Sequence, residues 1–91
     1  MRSVVISDHA RFEMDRRQIR EEDVRKVALS PEQVVSSSMG RVVHQSRITE
    51  PSLARAMLLR VVVEERGDTL FVVTAYQTSK VEKYWRPEAE P

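Results

Sequence analysis

The apolar positions of the chain repeat with one period in its first third and with another in the rest. Ala10 and Met14 stand four apart within a stretch, His9 to Arg17, that contains no Gly, Pro or β-branched residue, with Phe12 on a neighbouring face. That spacing reads as a helix with a narrow apolar stripe. Ser7 and Asp8 precede it, and either supplies an N-cap. Ile19 falls in a short break. Glu21-Glu22-Asp23 then opens a second helix with three acids in the turn where the dipole favours them. Val24, Val27 and Ala28 give it an i, i+3, i+4 face, and Pro31 stops it near Leu29 or Ser30.

Beyond Pro31 the period shortens towards two. Val34-Val35 begins an extended segment, and Ser36-Ser37-Ser38-Met39-Gly40 reads as a turn. Arg41 to Ile48 alternates, with Val42, His44, Ser46 and Ile48 on one side and Arg41, Val43, Gln45 and Arg47 on the other, a mixed face that places this strand near an edge. Thr49-Glu50-Pro51-Ser52 reads as a loop. Two β-rich runs, Met57 to Val63 and Leu70 to Tyr76, flank Glu65-Arg66-Gly67-Asp68, which is a hairpin signal. Both runs are apolar on both faces apart from Arg60 and Thr74, so they belong in the middle of a sheet with helices over at least one face. Ser79-Lys80-Val81-Glu82 has capping-box spacing and predicts a short helical turn carrying Lys83, Tyr84 and Trp85.

The expectation is a single α+β domain over residues 1–91, with two N-terminal helices packed on a three- to four-stranded antiparallel sheet. The helices are placed at about 8–17 and 21–30, the strands at about 33–36, 41–48, 56–64 and 69–77, and a tail at 86–91.

Composition narrows the chemistry. With 91 residues and no cysteine, thiolate metal sites, disulfides and a Cys nucleophile are excluded. No run approaches the about 20 apolar residues of a membrane span, and the N-terminus lacks the apolar region of a signal peptide, so a cytoplasmic protein without membrane contact is expected. Fifteen basic and fourteen acidic residues leave +1, which gives no strong global field towards nucleic acid. Twelve of the cations are Arg, the side chain suited to bidentate contacts with phosphate or carboxylate. The charge is uneven: residues 31–63 carry four Arg against Glu32 and Glu50, whereas the last five residues carry two acids and no base. The strands are the basic part.

The two histidines, His9 and His44, have neither a spaced partner nor a neighbouring pair of acids, so no metal site is expected. Gly40 and Gly67 lie in neither a nucleophile elbow nor a phosphate-binding loop. What remains is chemistry by Arg, His, Lys and Tyr. Those residues suffice to cleave RNA by attack of its own 2′-hydroxyl, which needs a base, cations for the developing phosphorane charge and an acid for the leaving oxygen. At a helix start the dipole favours neutral imidazole, which suits His9 to the role of base. Arg60, alone in an apolar strand, must meet an anion or a structural acid such as Glu13 or Asp15. Tyr76 ends the hairpin, where a phenol projects from the rim. Each also has a plainer role: His9 as a capping or packing residue, Tyr76 as a core-edge aromatic, His44 as a half-buried strand residue. Tyr84 and Trp85 would then pin the last turn, with Lys80 and Lys83, onto the sheet.

Ser7-Asp8-His9-Ala10-Arg11, Met14, Arg17, Ile19, Glu22-Asp23-Val24, Pro31, Gly40-Arg41, Leu59-Arg60-Val61-Val62-Val63, Val73 to Lys80 and Lys83-Tyr84-Trp85 together resemble domain of unknown function 4258, over nearly the whole chain. The resemblance implies the RelE-like and barnase-like ribonuclease superfold and a metal-independent endoribonuclease toxin without cofactor. It assigns catalytic roles to His9, Tyr76 and Arg60, and RNA phosphate contacts to Arg17, Lys80 and Lys83. Implied partners are RNA or the ribosome, an antitoxin over the basic sheet face, and a second copy in a homodimer. The position after Arg17, often glycine in such sequences, is Gln18 here. The competing expectation is a non-catalytic protein-binding module of the same fold, in which His9, Arg17 and Tyr76 hold the helix pair to the sheet.

Overall fold

A computed structural model describes residues 2–50 and 55–87. The loop expected around Pro51 and Ser52 and the acidic end of the tail, residues 88–91, lie outside them. The described elements run β1 (Ser3–Ile6), α1 (Asp8–Arg16), α2 (Glu21–Leu29), β2 (Gln33–Ser36), β3 (Val42–Glu50), β4 (Arg55–Arg66), β5 (Thr69–Thr78) and α3 (Val81–Tyr84). The class is α+β, but the sheet is mixed and five-stranded, ordered β1-β5-β4-β3-β2.

The strand missing from the sequence reading is β1. It pairs parallel with β5, Ser3 opposite Thr69 through Ile6 opposite Val72, while every other pairing is antiparallel. Four residues are too few for alternation to register as a pattern, and their partner lies more than sixty positions away. β1 and β2 therefore form the edges, β4 lies at the centre, and β3 is second from one edge. The hairpin strands extend past their expected bounds, leaving a two-residue turn at Gly67-Asp68 in place of four. Gly67, first in that turn, has φ +60°, as a tight hairpin of this type requires. Met39 and Gly40, both at positive φ, make the corresponding turn between β2 and β3.

Ser7 caps α1, its Oγ accepting from the Ala10 N–H at 3.0 Å. The same hydroxyl donates to the Val73 carbonyl of β5 at 3.4 Å, so one side chain starts the helix and ties it to the sheet. α1 closes in a Schellman arrangement, with Ile19 N–H on the Met14 carbonyl at 2.8 Å and Gln18 N–H on that of Asp15 at 3.2 Å. Gln18 takes the left-handed position at φ +56°. Ile19 and Met14 are both buried, which supplies the apolar contact that accompanies this motif. α2 has no side-chain cap at Arg20, but its three first-turn acids are as expected. Glu21 draws the two helices together by pairing with Arg11 and Arg25, and Arg25 also donates to the Val4 carbonyl of β1 at 2.9 Å.

One face of the sheet meets α1 and α2. Ala10, Met14, Ile19, Val24, Val27 and Ala28 pack there with Leu59, Val61 and Val63 of β4, Leu70, Val72 and Ala75 of β5 and Ile6 of β1. His44 joins that side and is buried rather than half-buried, its Nδ1–H donating to the Ala28 carbonyl at 2.7 Å. Alternation sends Leu58, Arg60 and Val62 of β4 to the second face. A register shift between Val62 and Val63 marks a β-bulge near the Arg60–Tyr76 pair. The chain after β5 turns back across this second face. Its short helix does not use the capping box: Lys80 is the N-cap and makes no side-chain cap bond.

Candidate functional site

A polar rung crosses the second face at right angles to the strands. Gln33 of β2 is in register with Gln45 of β3, Gln45 with Arg60 of β4, and Arg60 with Tyr76 of β5. Neighbours in a rung are close enough for their side chains to bond, and these do. Arg60 Nε donates to Gln45 Oε1 at 2.8 Å, and Arg60 Nη1 to Tyr76 Oη at 2.5 Å. Gln45 Nε2 donates to Gln33 Oε1 at 2.8 Å. Because a guanidinium has donors and no acceptor, Gln45 must turn its oxygen to Arg60, and its NH₂ then faces Gln33. The direction of every link follows from that one constraint.

The C-terminal segment closes over the rung. Gln45 Nε2 also donates to the Tyr84 carbonyl at 3.1 Å, and Gln33 Nε2 to the Arg86 carbonyl at 2.6 Å, with Arg86 N–H returning to Gln33 Oε1 at 3.1 Å. The Tyr84 ring stacks on the Arg60 guanidinium at 4.2 Å, and Arg47 on Trp85 at 4.1 Å. Arg47 is held in turn by Glu32, whose carboxyl its guanidinium keeps below the usual carboxylate range. Under this cover Gln33, Gln45 and Arg60 are 3%, 0% and 8% exposed. The aromatics therefore do pin the last turn to the sheet, and Tyr84 does so through Arg60.

Arg60 pairs with no carboxylate among the described residues. Glu13, one acid expected to meet it, is bound to Arg16 and Arg17 on α1, and the Arg16 hydrogen bond lowers its pKa. Asp15, the other, is exposed on α1. Burying a guanidinium without a counter-ion is costly, and here neutral acceptors and an aromatic face offset the cost. The result is a fixed positive charge in a site of low dielectric, paired with no anion among the described residues.

The six residues singled out from the sequence are divided by the fold. Arg60 and Tyr76 are in contact, and Lys83 is exposed on α3, its Nζ 5.3 Å from the ring centre of the neighbouring Tyr84. Lys80 is exposed at the start of α3. Arg17 sits on the outer edge of β5, donating to the Ala75 carbonyl at 2.9 Å. His9 is exposed on α1, in the helix layer, and is not part of the rung. Sequence reasoning missed Gln33, Gln45 and the stacking role of Tyr84. The available signal was Gln45 on the mixed side of its strand, a polar residue directly opposite the lone strand arginine.

Among the described residues no three His, Asp or Glu side chains converge as a metal site. No described helix is long and apolar enough to cross a membrane. The model of DUF4258, a domain of unknown function, matches residues 6–77. No curated protein and no solved structure matches the chain.

Proposed function

The chain belongs to the DUF4258 family, and we propose that it is a RelE-like toxin, a metal-independent endoribonuclease acting on RNA at the Arg60–Tyr76 pair. The observation that supports this is the buried Arg60 guanidinium, oriented by Gln45 and Tyr76 and unpaired with any described carboxylate. Oriented donors in a site of low dielectric stabilise developing charge far better than donors in water. RNA brings its own nucleophile, the 2′-hydroxyl, whose oxygen bonds to phosphorus as its proton passes to solvent water, from which the acid is afterwards re-protonated. Arg60 takes the charge of the phosphorane. Tyr76 accepts a hydrogen bond from Arg60 and keeps its own O–H proton, which it delivers to the leaving 5′-oxygen. Lys80 and Lys83 hold flanking phosphates, and Arg17 reaches the same strand from its edge. His9 has no part in this geometry. In the cell an antitoxin would cover this face.

The test is incubation of purified protein with RNA in the presence of a metal chelator, beside induced expression in bacteria. Cleavage to 2′,3′-cyclic phosphate ends with growth arrest is expected, and Arg60→Ala and Tyr76→Phe should abolish both. A folded wild type that neither cleaves nor arrests growth overturns the proposal.

A second reading has its own support. Among the described residues the rung is closed by segment 84–86 and its amides are satisfied by that segment. On that basis the chain is a non-catalytic binding module, and the rung is the polar seam that fixes its C-terminus. Under it, Arg60→Ala lowers stability and changes nothing chemical.

A further inference from the structure

Segment 84–86 meets the rung with a planar ring on a guanidinium and a carbonyl on a glutamine amide. These are the contacts an unpaired nucleobase makes with protein: stacking on an Arg plane and hydrogen bonds to its edge. We propose that the Tyr84 ring occupies a nucleobase site, and that an unpaired base bearing a ring carbonyl replaces it on Arg60 when RNA is bound. The inference rests on reading the ligand as RNA, and adds to that reading which part of the nucleotide is recognised.

Three observations carry it. The segment is held by polar and stacking contacts rather than by core packing: no residue of α3 is buried, the helix lacks a side-chain cap, and Tyr84 and Trp85 are half-buried. Elements joined by polar contacts over little buried apolar area open at low cost. The groups that the segment bonds are polar, Gln33, Gln45 and Arg60, so lifting it frees hydrogen-bonding groups, beside Leu58 and Val43 buried on the same face. Finally, the rung is polarised. With Gln45 Oε1 committed to Arg60, the free valence of Gln45 towards the cover is an N–H donor, now bound to the Tyr84 carbonyl. A base stacked on Arg60 must therefore present an acceptor at that place. The carbonyls of uracil meet this demand, as do those of cytosine and guanine, whereas adenine meets it only through a ring nitrogen.

The experiment uses the full chain and fluorescent 2′-O-methyl hexamers of uridine, of adenosine and of abasic ribose. The 2′-O-methyl groups prevent cleavage by 2′-hydroxyl attack, so binding is read apart from catalysis. Tyr84→Ala should bind the uridine hexamer about tenfold more tightly than wild type, the scale of one base stack. The adenosine hexamer should bind severalfold more weakly, and the abasic one weakest. Tyr84→Phe, which keeps the ring, should behave as wild type. Phenylglyoxal labelling of Arg60, read by mass spectrometry, reports its uncovering without any nucleic acid and should rise in Tyr84→Ala alone. Equal binding of the three hexamers, or an Arg60 as protected in Tyr84→Ala as in wild type, overturns the inference. Uridine-selective binding by a chain that cleaves no RNA upholds the base site and overturns the nuclease.

Discussion

Gln45 and Arg60 face each other across β3 and β4, and the 2.8 Å bond from the guanidinium Nε to the carboxamide oxygen orients the whole rung. Replacing that oxygen separates two effects. Gln45→Leu leaves Arg60 Nε without its acceptor in a buried site and should lower stability by about 2–3 kcal/mol in denaturant titration. Gln45→Glu supplies the missing carboxylate. It should fold, forming an ion pair in place of a neutral bond, and it should abolish RNA cleavage by neutralising Arg60. Full activity in a folded Gln45→Glu variant would show that Arg60 does not meet the phosphate.

Gln18 holds a left-handed backbone, φ +56°, at the position after the α1 C-cap, where glycine is favoured. Gln18→Gly should stabilise the protein by about 0.5–1 kcal/mol, the relief of αL strain less the extra freedom of glycine in the unfolded chain. Gln18→Val, β-branched, should destabilise it. A thermal melt of the three proteins settles the order.

Burial holds the His44 imidazole below the usual histidine range, although its bond to the Ala28 carbonyl works the other way. A lowered folded pKa means that the unfolded chain binds the proton more tightly. The His44 contribution is therefore fully present above the unfolded value, about 6.5, and is lost as pH falls through the lower folded value. Stability measured by urea unfolding should start to decline below about pH 6.5, ahead of the range where Glu13, Glu21, Glu32 and Glu64, all lowered by arginine contacts, become protonated. His44→Asn keeps a donor for Ala28 and should remove this first phase only.

Ser7 both caps α1 and bonds to Val73. Ser7→Ala should cost about 1 kcal/mol, and amide exchange should quicken in the first turn of α1 and beside Val73. An effect confined to the helix would mean that the hydroxyl's tie to β5 contributes nothing.

Periodicity made both long helices and the three long strands legible, because each places apolar side chains on the helix-facing side: Ala10 and Met14, Val24 and Val27, Leu59 and Val61. It could not show β1, whose place depends on a partner at the far end of the chain. It picked out Arg60 as a charge needing compensation and Tyr76 as a rim phenol, and the two proved to be bonded neighbours. What it could not show was register. That Gln33, Gln45, Arg60 and Tyr76 fall on one line depends on three pairings and the three connections between those strands, and none of these is encoded in local pattern. The same holds for His9 and Arg60: both are chemically apt, and only the fold shows that they belong to different layers.

The rung takes one residue from each of four strands, spread from position 33 to position 76, and its cover comes from positions 84–86. No part of the sheet smaller than four strands contains the site. During synthesis the strand that brings Tyr76 emerges last of the four and is followed directly by the residues that shield Arg60. The rung and its cover are thus completed almost together, and a half-made chain carries neither.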